Sequence, residues 1–312
     1  MHPFAFVFPG QGSQSVGMLD AWGNHPAVRQ TLDEASAVLG EDIAALIHAG
    51  PKEALERTTN TQPVMLTGAI ACYRAWLAEG GPEPAAVAGH SLGEYSALVA
   101  AGALTLADAL PLVRLRAQAM QQAVPVGAGA MAAILGLDAA TVRAGCAAVA
   151  AESGEVVAPA NMNDPKQTVI AGSKLGVDLA CDKLKALGAK RALLLAVSAP
   201  FHSVLMKPAA EALRERLVGV TVLAPRIPLV NNIDVAFQTE PAAIRDALYR
   251  QAFGPVRWVE VTQALRARGL LHILECGPGK VLSGLVKRVD ANIQSITVLD
   301  PASLQVAKEM LQ

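Results

Sequence analysis

Short apolar runs alternate with stretches of helical periodicity along most of this chain. Runs that fit buried strands occur at 4–8, 85–88, 271–275 and 296–299. Apolar residues recur at helical spacing in the segments 26–39, 61–77, 105–122, 207–217, 242–252 and 257–268. Strands that alternate with helices are typical of a mostly parallel sheet with helices on both faces. The pattern therefore predicts an α/β fold of this kind.

The middle of the chain has a different order of predicted strands and helices. It predicts, in order, a strand at 130–135, a helix at 138–151, strands at 156–161 and 168–171, a helix at 174–187 and a strand at 191–197. The order βαββαβ is that of ferredoxin-like domains, which close on themselves. We therefore expect a small inserted domain at 127–197 and a large domain formed by 1–126 and 198–312.

Composition narrows the class of protein. A chain of 312 residues with 52% hydrophobic content can bury a large core. Its 26 basic and 27 acidic residues give a net charge of -1, which indicates neither a nucleic-acid partner nor a membrane partner. The four cysteines are far apart and lack a CxxC pair, so we expect no metal site and no disulfides. Together with an N-terminal apolar run too short for a signal peptide, they predict reduced thiols and a cytoplasmic protein.

The clearest chemical signal is Gly89-His90-Ser91-Leu92-Gly93, which lies between a predicted strand and a predicted helix. This is the GxSxG pattern in the strand–turn–helix context of a hydrolase-like sheet, where a sharp elbow exposes the serine oxygen. Ser91 is therefore a candidate nucleophile, and the backbone N–H of Leu92 is a candidate oxyanion donor. The alternative is a tight turn in which the serine has no chemical role.

A second oxyanion donor and a base are also needed. The strand at 4–8 runs into Pro9-Gly10-Gln11-Gly12, so the N–H of Gln11 is the natural second donor. Among six histidines, His202 lies downstream of Ser91 where the chain re-enters the large domain, as the hydrolase order requires. Since no acidic residue stands out as a third member, we expect a serine–histidine pair oriented by a backbone carbonyl. A loop histidine without function is the alternative for His202.

Several motifs together resemble the malonyl-CoA:acyl carrier protein transacylase family over essentially the whole chain. They are FVFPGQGSQ, GHSLGEY, Arg116-x-x-x-Met120, GAMAAILGL, PFH at 200–202 and ECGPGKVLSGL. The resemblance implies a hydrolase-like large domain with a ferredoxin-like insertion. It also implies transfer of malonyl from malonyl-CoA to the thiol of acyl carrier protein, through a malonyl-serine, without a metal or redox cofactor.

The resemblance also assigns further site residues. It implies that Arg116 binds the malonyl carboxylate and that the backbone carbonyl of Gln251 orients His202. Bidentate guanidinium recognition would favour malonyl over acetyl. Leu92 and Phe201 match the residues that accompany malonyl preference over methylmalonyl in related polyketide acyltransferases. Without the resemblance, Arg116 and Gln251 could equally be exposed helix residues.

Other functions remain open from the sequence. A serine esterase or thioesterase would use the same elbow but deliver the acyl group to water. A malonyl transferase that serves a polyketide synthase or a malonate decarboxylase carrier would use the same residues. A catalytically silent module that only binds a carrier protein is a third class, although intact Ser91 and His202 argue against it.

Overall fold

The computed structural model describes residues 2–312, which form two sheets flanked by helices. The strands are β1 Phe4–Phe8, β2 Ala86–Gly89, β3 Gly129–Leu135, β4 Val157–Asp164, β5 Gln167–Ser173, β6 Arg191–Leu194, β7 Leu229–Val230, β8 His272–Cys276 and β9 Thr297–Val298. The helices are α1 Pro26–Leu39, α2 Ile43–Ala49, α3 Lys52–Leu55, α4 Thr58–Ala78, α5 Gly93–Ala100, α6 Leu106–Gln122, α7 Ala139–Ser153, α8 Lys174–Ala186, α9 Lys207–Val218, α10 Pro241–Phe253, α11 Trp258–Ala267, α12 Val281–Val289 and α13 Pro301–Met310.

The large sheet has five parallel strands in the order β7-β2-β1-β8-β9. Strand β1 is buried along its whole length because helices cover both faces of the sheet. Its alternate residues point into two separate apolar clusters, Phe6 into one and Val7 into the other. The predicted α/β fold with a mostly parallel sheet is confirmed.

The register of β1 and β2 determines which loops meet. Phe8 lies opposite Gly89, and the N–H of His90 donates to the carbonyl of Phe8 over 3.0 Å. Because the two strands are parallel, both chains leave the sheet at the same edge. The Gly10–Gln11 loop and the Ser91 turn therefore begin side by side.

The second sheet is antiparallel, with the order β4-β5-β3-β6. Helices α7 and α8 pack on one face around Ile134, Val142 and Leu184. The predicted βαββαβ succession and its ferredoxin-like strand order are confirmed, while the domain boundaries at 127 and 197 stay a prediction. Strand β6 ends at Leu194, three residues before the predicted end. The Leu195 N–H still donates to the Met131 carbonyl over 2.9 Å, and residues 195–197 line a cavity.

Strand β4 joins the small sheet to the loop between α10 and α11 and to α12. The backbone of Val256 accepts a hydrogen bond from Met162 over 2.9 Å and donates one to Ala160 over 2.8 Å. At the end of the same strand, Arg288 of α12 forms a 2.7 Å ion pair with buried Asp164. The small sheet is therefore held along its β4 edge, whereas β6 is the opposite edge.

Helix α4 begins earlier than the sequence indicates. It starts at Thr58, three residues before the predicted start at 61, so Pro63 lies inside the helix beyond its first turn. Nearly every residue of this helix is buried, so packing on both sides stabilises it despite the missing N–H. Of residues 2–312, no helix is both long enough and apolar enough to span a membrane.

Candidate active site

Ser91 occupies a sharp turn between β2 and α5. Its φ of 52° is in the left-handed region, which a non-glycine residue adopts only when its surroundings enforce it. A Cβ at Gly89 would lie 1.9 Å from the backbone of Gly93, and one at Gly93 would lie 2.0 Å from the carbonyl oxygen of Phe8. Both glycines are therefore required sterically, as the elbow interpretation expects.

His202 lies against Ser91. Its Nε2 is 2.7 Å from the Ser91 Oγ, and its Nδ1 donates to the backbone carbonyls of Gln251 and Gly254 over 2.9 and 3.1 Å. Burial, together with the nearby Arg116 charge, lowers the pKa of His202 to about 3. The ring is therefore neutral near pH 7, with Nδ1 protonated towards the carbonyls and Nε2 free to accept the serine proton.

Arg116 is a buried cation beside this pair, not an exposed helix residue. It is 3% exposed, and its guanidinium donates to Gln62 Oε1 over 2.9 Å, Ser91 Oγ over 3.2 Å and Gln251 Oε1 over 3.1 Å. All three acceptors are neutral, and within residues 2–312 no carboxylate forms an ion pair with it. Burial lowers the pKa of Arg116 below its usual value. A buried guanidinium without an anionic partner favours the arrival of an anion.

Two residues that have unpartnered backbone N–H groups in the described part of the chain lie at the same cavity. Gln11 and Leu92 both line the cavity that contains Ser91 and His202. Within residues 2–312 neither N–H donates a hydrogen bond. The Gln11 loop is pressed against the elbow, since a Cβ at Gly10 would lie 2.6 Å from the His90 carbonyl oxygen. The structure therefore brings together the two predicted oxyanion donors.

Three residues that sequence reasoning missed hold this arrangement. Asn232 accepts from the Ser91 N–H over 2.8 Å and donates to the Gly89 carbonyl over 2.7 Å, so its side chain clamps the elbow. Gln62 positions Arg116, and Glu94 accepts from both Asn232 and Gln251. One signal was available, because Glu94 places a carboxylate in an otherwise apolar stretch of α5.

The cavity in front of Ser91 has a volume of about 510 Å³. Met131 and Asn161 of the small sheet form one wall, and Phe201 and Leu195 form another. This is the size range of small-molecule sites. Within residues 2–312, no group of three or more His, Cys, Asp or Glu side chains is placed to hold a metal ion.

The histidine next to the nucleophile points elsewhere. His90 Nε2 lies 2.9 Å from Asn163 Oδ1 of β4, and its ring packs against Trp258. The His90 side chain therefore diverges from Ser91 at the elbow, and His202 is the histidine that contacts the serine hydroxyl.

Comparisons with known proteins identify the family of this chain. The model of the acyl transferase domain family matches residues 5–301. The "Malonyl CoA-acyl carrier protein transacylase" of Salmonella typhimurium is 52% identical over 308 residues, covering 98% of this chain and 99% of that protein. A crystal structure of acyl-carrier-protein S-malonyltransferase from Burkholderia pseudomallei is 64% identical, with a TM-score of 0.96 over 98% of this chain and 99% of that one.

A third relative was solved with a partner. It is a malonyl-transacylase in complex with its type II PKS acyl-carrier protein, 49% identical with a TM-score of 0.96, covering 99% of both chains. The family match spans nearly the whole chain, and the relatives match it from end to end. The chain therefore belongs to the acyl transferase family, among the malonyl-CoA–acyl carrier protein transacylases.

Proposed function

We propose that this chain transfers the malonyl group of malonyl-CoA to the phosphopantetheine thiol of acyl carrier protein, supplying fatty acid synthesis. One observation carries the proposal: the Ser91 hydroxyl lies 2.7 Å from a neutral histidine and 3.2 Å from a buried arginine. A nucleophile beside a cation in one cavity suits an acyl donor that carries its own carboxylate.

In the first half-reaction, Ser91 attacks the malonyl-CoA thioester. His202 Nε2 takes the hydroxyl proton as the Ser91 oxygen bonds to the carbonyl carbon. The N–H groups of Gln11 and Leu92 donate to the oxyanion, and Arg116 holds the malonyl carboxylate. Collapse breaks the carbon–sulfur bond, and coenzyme A departs with the proton returned by His202. A malonyl ester remains on Ser91.

The second half-reaction runs in reverse with a different thiol. The phosphopantetheine thiol of the carrier protein gives its proton to His202 Nε2 and attacks the ester carbonyl. The same two N–H groups serve this oxyanion, and the Ser91 oxygen leaves with the proton. Phe201 and Leu92 border the acyl group, and their bulk is proposed to disfavour a methyl branch such as that of methylmalonyl.

Intact-protein mass spectrometry tests the proposal. The protein is mixed with malonyl-CoA or with acetyl-CoA, and carrier protein is added afterwards. We expect a malonyl adduct that forms in preference to an acetyl adduct and that moves to the carrier. Ser91→Ala should form no adduct. Ser96→Ala is the matched control, because this buried hydroxyl on α5, the helix that follows Ser91, has no hydrogen-bond partner in residues 2–312.

The same experiment separates the other functions. An adduct that decays in water at the rate seen with carrier protein would indicate a hydrolase and overturn the proposal. Retention of transfer by Ser91→Ala would overturn the role of the nucleophile. Offering polyketide and fatty-acid carriers side by side identifies the carrier, a comparison motivated by the similarity to the PKS complex.

We also propose that the protein works in the cytoplasm. Its four cysteines, Cys72, Cys146, Cys181 and Cys276, are all unpaired and buried, which fits a reducing compartment. Fractionation of cells that express the tagged protein would test the location.

A further inference from the structure

A buried carboxylate that takes no part in the proposed reaction lies behind the site. Glu94 is 2% exposed on α5, three residues after Ser91. Its Oε2 accepts from the backbone N–H of Asn232 over 2.9 Å and from Gln251 Nε2 over 3.0 Å. Burying a carboxylate is unfavourable unless hydrogen bonds compensate for the lost water, so a side chain kept there has a structural or chemical task.

The contacts of Gln251 indicate what that task is. Its Nε2 donates to Glu94 Oε2 and to the Ser91 carbonyl, each over 3.0 Å. Its Oε1 then faces Arg116 Nη2, from which it accepts over 3.1 Å. Glu94 Oε2 already accepts from the Asn232 N–H, and the Ser91 carbonyl can only accept, so these two acceptors fix which end of the amide is the nitrogen. A flipped amide would direct N–H groups at the guanidinium and displace it.

We propose that Glu94 is a positioning residue for malonyl selectivity: it fixes the Gln251 amide so that the amide oxygen holds Arg116 towards the substrate carboxylate. Glu94 touches neither the substrate nor the reacting atoms, and it acts through Gln251. Its second contact, to Asn232, supports the elbow and so affects every acyl donor equally. The contact to Gln251 sets the position of Arg116, so it affects donors that carry a carboxylate most strongly, although Gln251 Nε2 also donates to the Ser91 carbonyl.

The ratio of malonyl to acetyl acylation rates therefore distinguishes a misplaced Arg116 from a general loss of structure. The inference rests on the proposed malonyl transfer, so acylation rates are measured with malonyl-CoA and with acetyl-CoA, and their ratio is compared. Acetyl has no carboxylate for Arg116 to hold. A variant that only loosens the fold slows both donors by one factor, whereas one that misdirects Arg116 lowers the malonyl-to-acetyl ratio.

Two substitutions of Glu94 form a matched pair. Glu94→Met keeps the length of the side chain and removes both acceptors, whereas Glu94→Gln keeps one oxygen acceptor. We expect Glu94→Met to slow malonyl acylation by about 10²-fold, since misplacement of a binding group by about 1 Å has effects of that order. Acetyl acylation should fall much less. Glu94→Gln should lie between Glu94→Met and the wild type, because a neutral acceptor is weaker than a charged one. Glu152→Met, on the exposed surface of α7, controls for loss of a carboxylate elsewhere.

An unchanged malonyl-to-acetyl ratio in both Glu94 variants would overturn the inference. If Glu94→Met does not fold, Glu94→Gln is compared in the wild-type and Arg116→Met backgrounds. We expect it to slow malonyl acylation by a larger factor in the first than in the second, where only the Asn232 contact is weakened, and an equal factor in both would also overturn the inference. A wild-type protein without malonyl preference would instead overturn the proposed function itself.

Discussion

Adding one methyl group at Gly10 should disable the proposed oxyanion site without touching a reacting side chain. The φ of Gly10 lies outside the left-handed region, so alanine fits its backbone and the effect is purely steric. The new Cβ would lie 2.6 Å from the His90 carbonyl oxygen. That oxygen belongs to the elbow backbone and cannot rotate away, so the loop that carries Gln11 must retreat.

The size of the retreat gives the size of the effect. A relaxed carbon–oxygen contact is about 3.3 Å, so the Gln11 N–H should move by about 0.7 Å relative to the elbow. Oxyanion donors act over about 2.7–3.1 Å, and loss of one reduces the rate by about 10²–10³-fold. We therefore expect Gly10→Ala to lower kcat for acylation by about 10²-fold. KM should change little, because this hydrogen bond is made only in the transition state.

Rapid mixing with malonyl-CoA, followed by intact mass measurement, gives the rate of adduct formation directly. Gln11→Ala is the control, since it removes the 3.2 Å side-chain bond to Thr58 but keeps the backbone N–H. It should acylate far faster than Gly10→Ala. The reasoning is refuted if folded Gly10→Ala protein forms the adduct at the wild-type rate, because Gln11 would then not be an oxyanion donor.

Three further outcomes are expected. Gly93→Ala places a Cβ 2.0 Å from a backbone oxygen and should lower the free energy of unfolding by about 3 kcal/mol, measured as a lower urea midpoint; an unchanged midpoint would contradict the elbow packing. Arg116→Met should slow acylation by malonyl-CoA about 10²–10³-fold, because it removes a buried ion pair with the malonyl carboxylate that is worth ~3–4 kcal/mol, whereas acylation by acetyl-CoA should persist. Equal losses with both donors would argue against carboxylate binding by Arg116. Because the pKa of His202 is lowered to about 3, its ring signals in NMR should not titrate over about pH 5–8, whereas the pKa of His48 is raised by the hydrogen bond that its ring donates to Asp20, so its signals should titrate at a higher pH than those of an ordinary histidine; a titrating His202 signal, identified by its absence in His202→Ala, would contradict the neutral base.

The features that the sequence predicted are those with a local cause. A run of five apolar residues makes β1 a central strand, and glycines around Ser91 mark a turn in which side chains would collide. Parallel strands end at one edge, so the meeting of the Gln11 loop and Ser91 also followed from the pattern. These inferences needed only neighbouring residues and the rules of strand packing.

The support of the site could not be predicted in this way. Asn232 clamps a turn 141 positions earlier in the chain, and no local pattern distinguishes it from any other loop asparagine. The burial of Arg116 could not be predicted either. Arg114 lies two positions earlier on the same helix, and there the guanidinium reaches Glu41 at the surface, so the local sequence does not show which arginine is buried. Only the resemblance to a family separated these two arginines.

Short elements were missed for a different reason. Helices α2 and α3 have seven and four residues, and β7 has two. Segments of this length carry less than two periods of a helical pattern or a single strand repeat, so their stability comes from tertiary packing. Helices α12 and α13, of nine and ten residues, were also missed. They follow a glycine-rich turn and a proline-containing turn, which favour interpretation of the segments as loops.

The two carbonyls behind His202 have a consequence for the fate of the acyl group. Peptide oxygens offer only partial charge to a protonated ring, whereas the aspartate of a protease offers a full one. A ring held this way releases a captured proton readily and is a feeble base. Such a base can act on the Ser91 hydroxyl because that group is fixed 2.7 Å from Nε2, and on a thiol because thiols ionise near a pKa of about 8.5. It gives little help to a mobile water molecule, whose pKa is about 15.7. We therefore expect the ester on Ser91 to hydrolyse slowly and to persist until a thiol arrives.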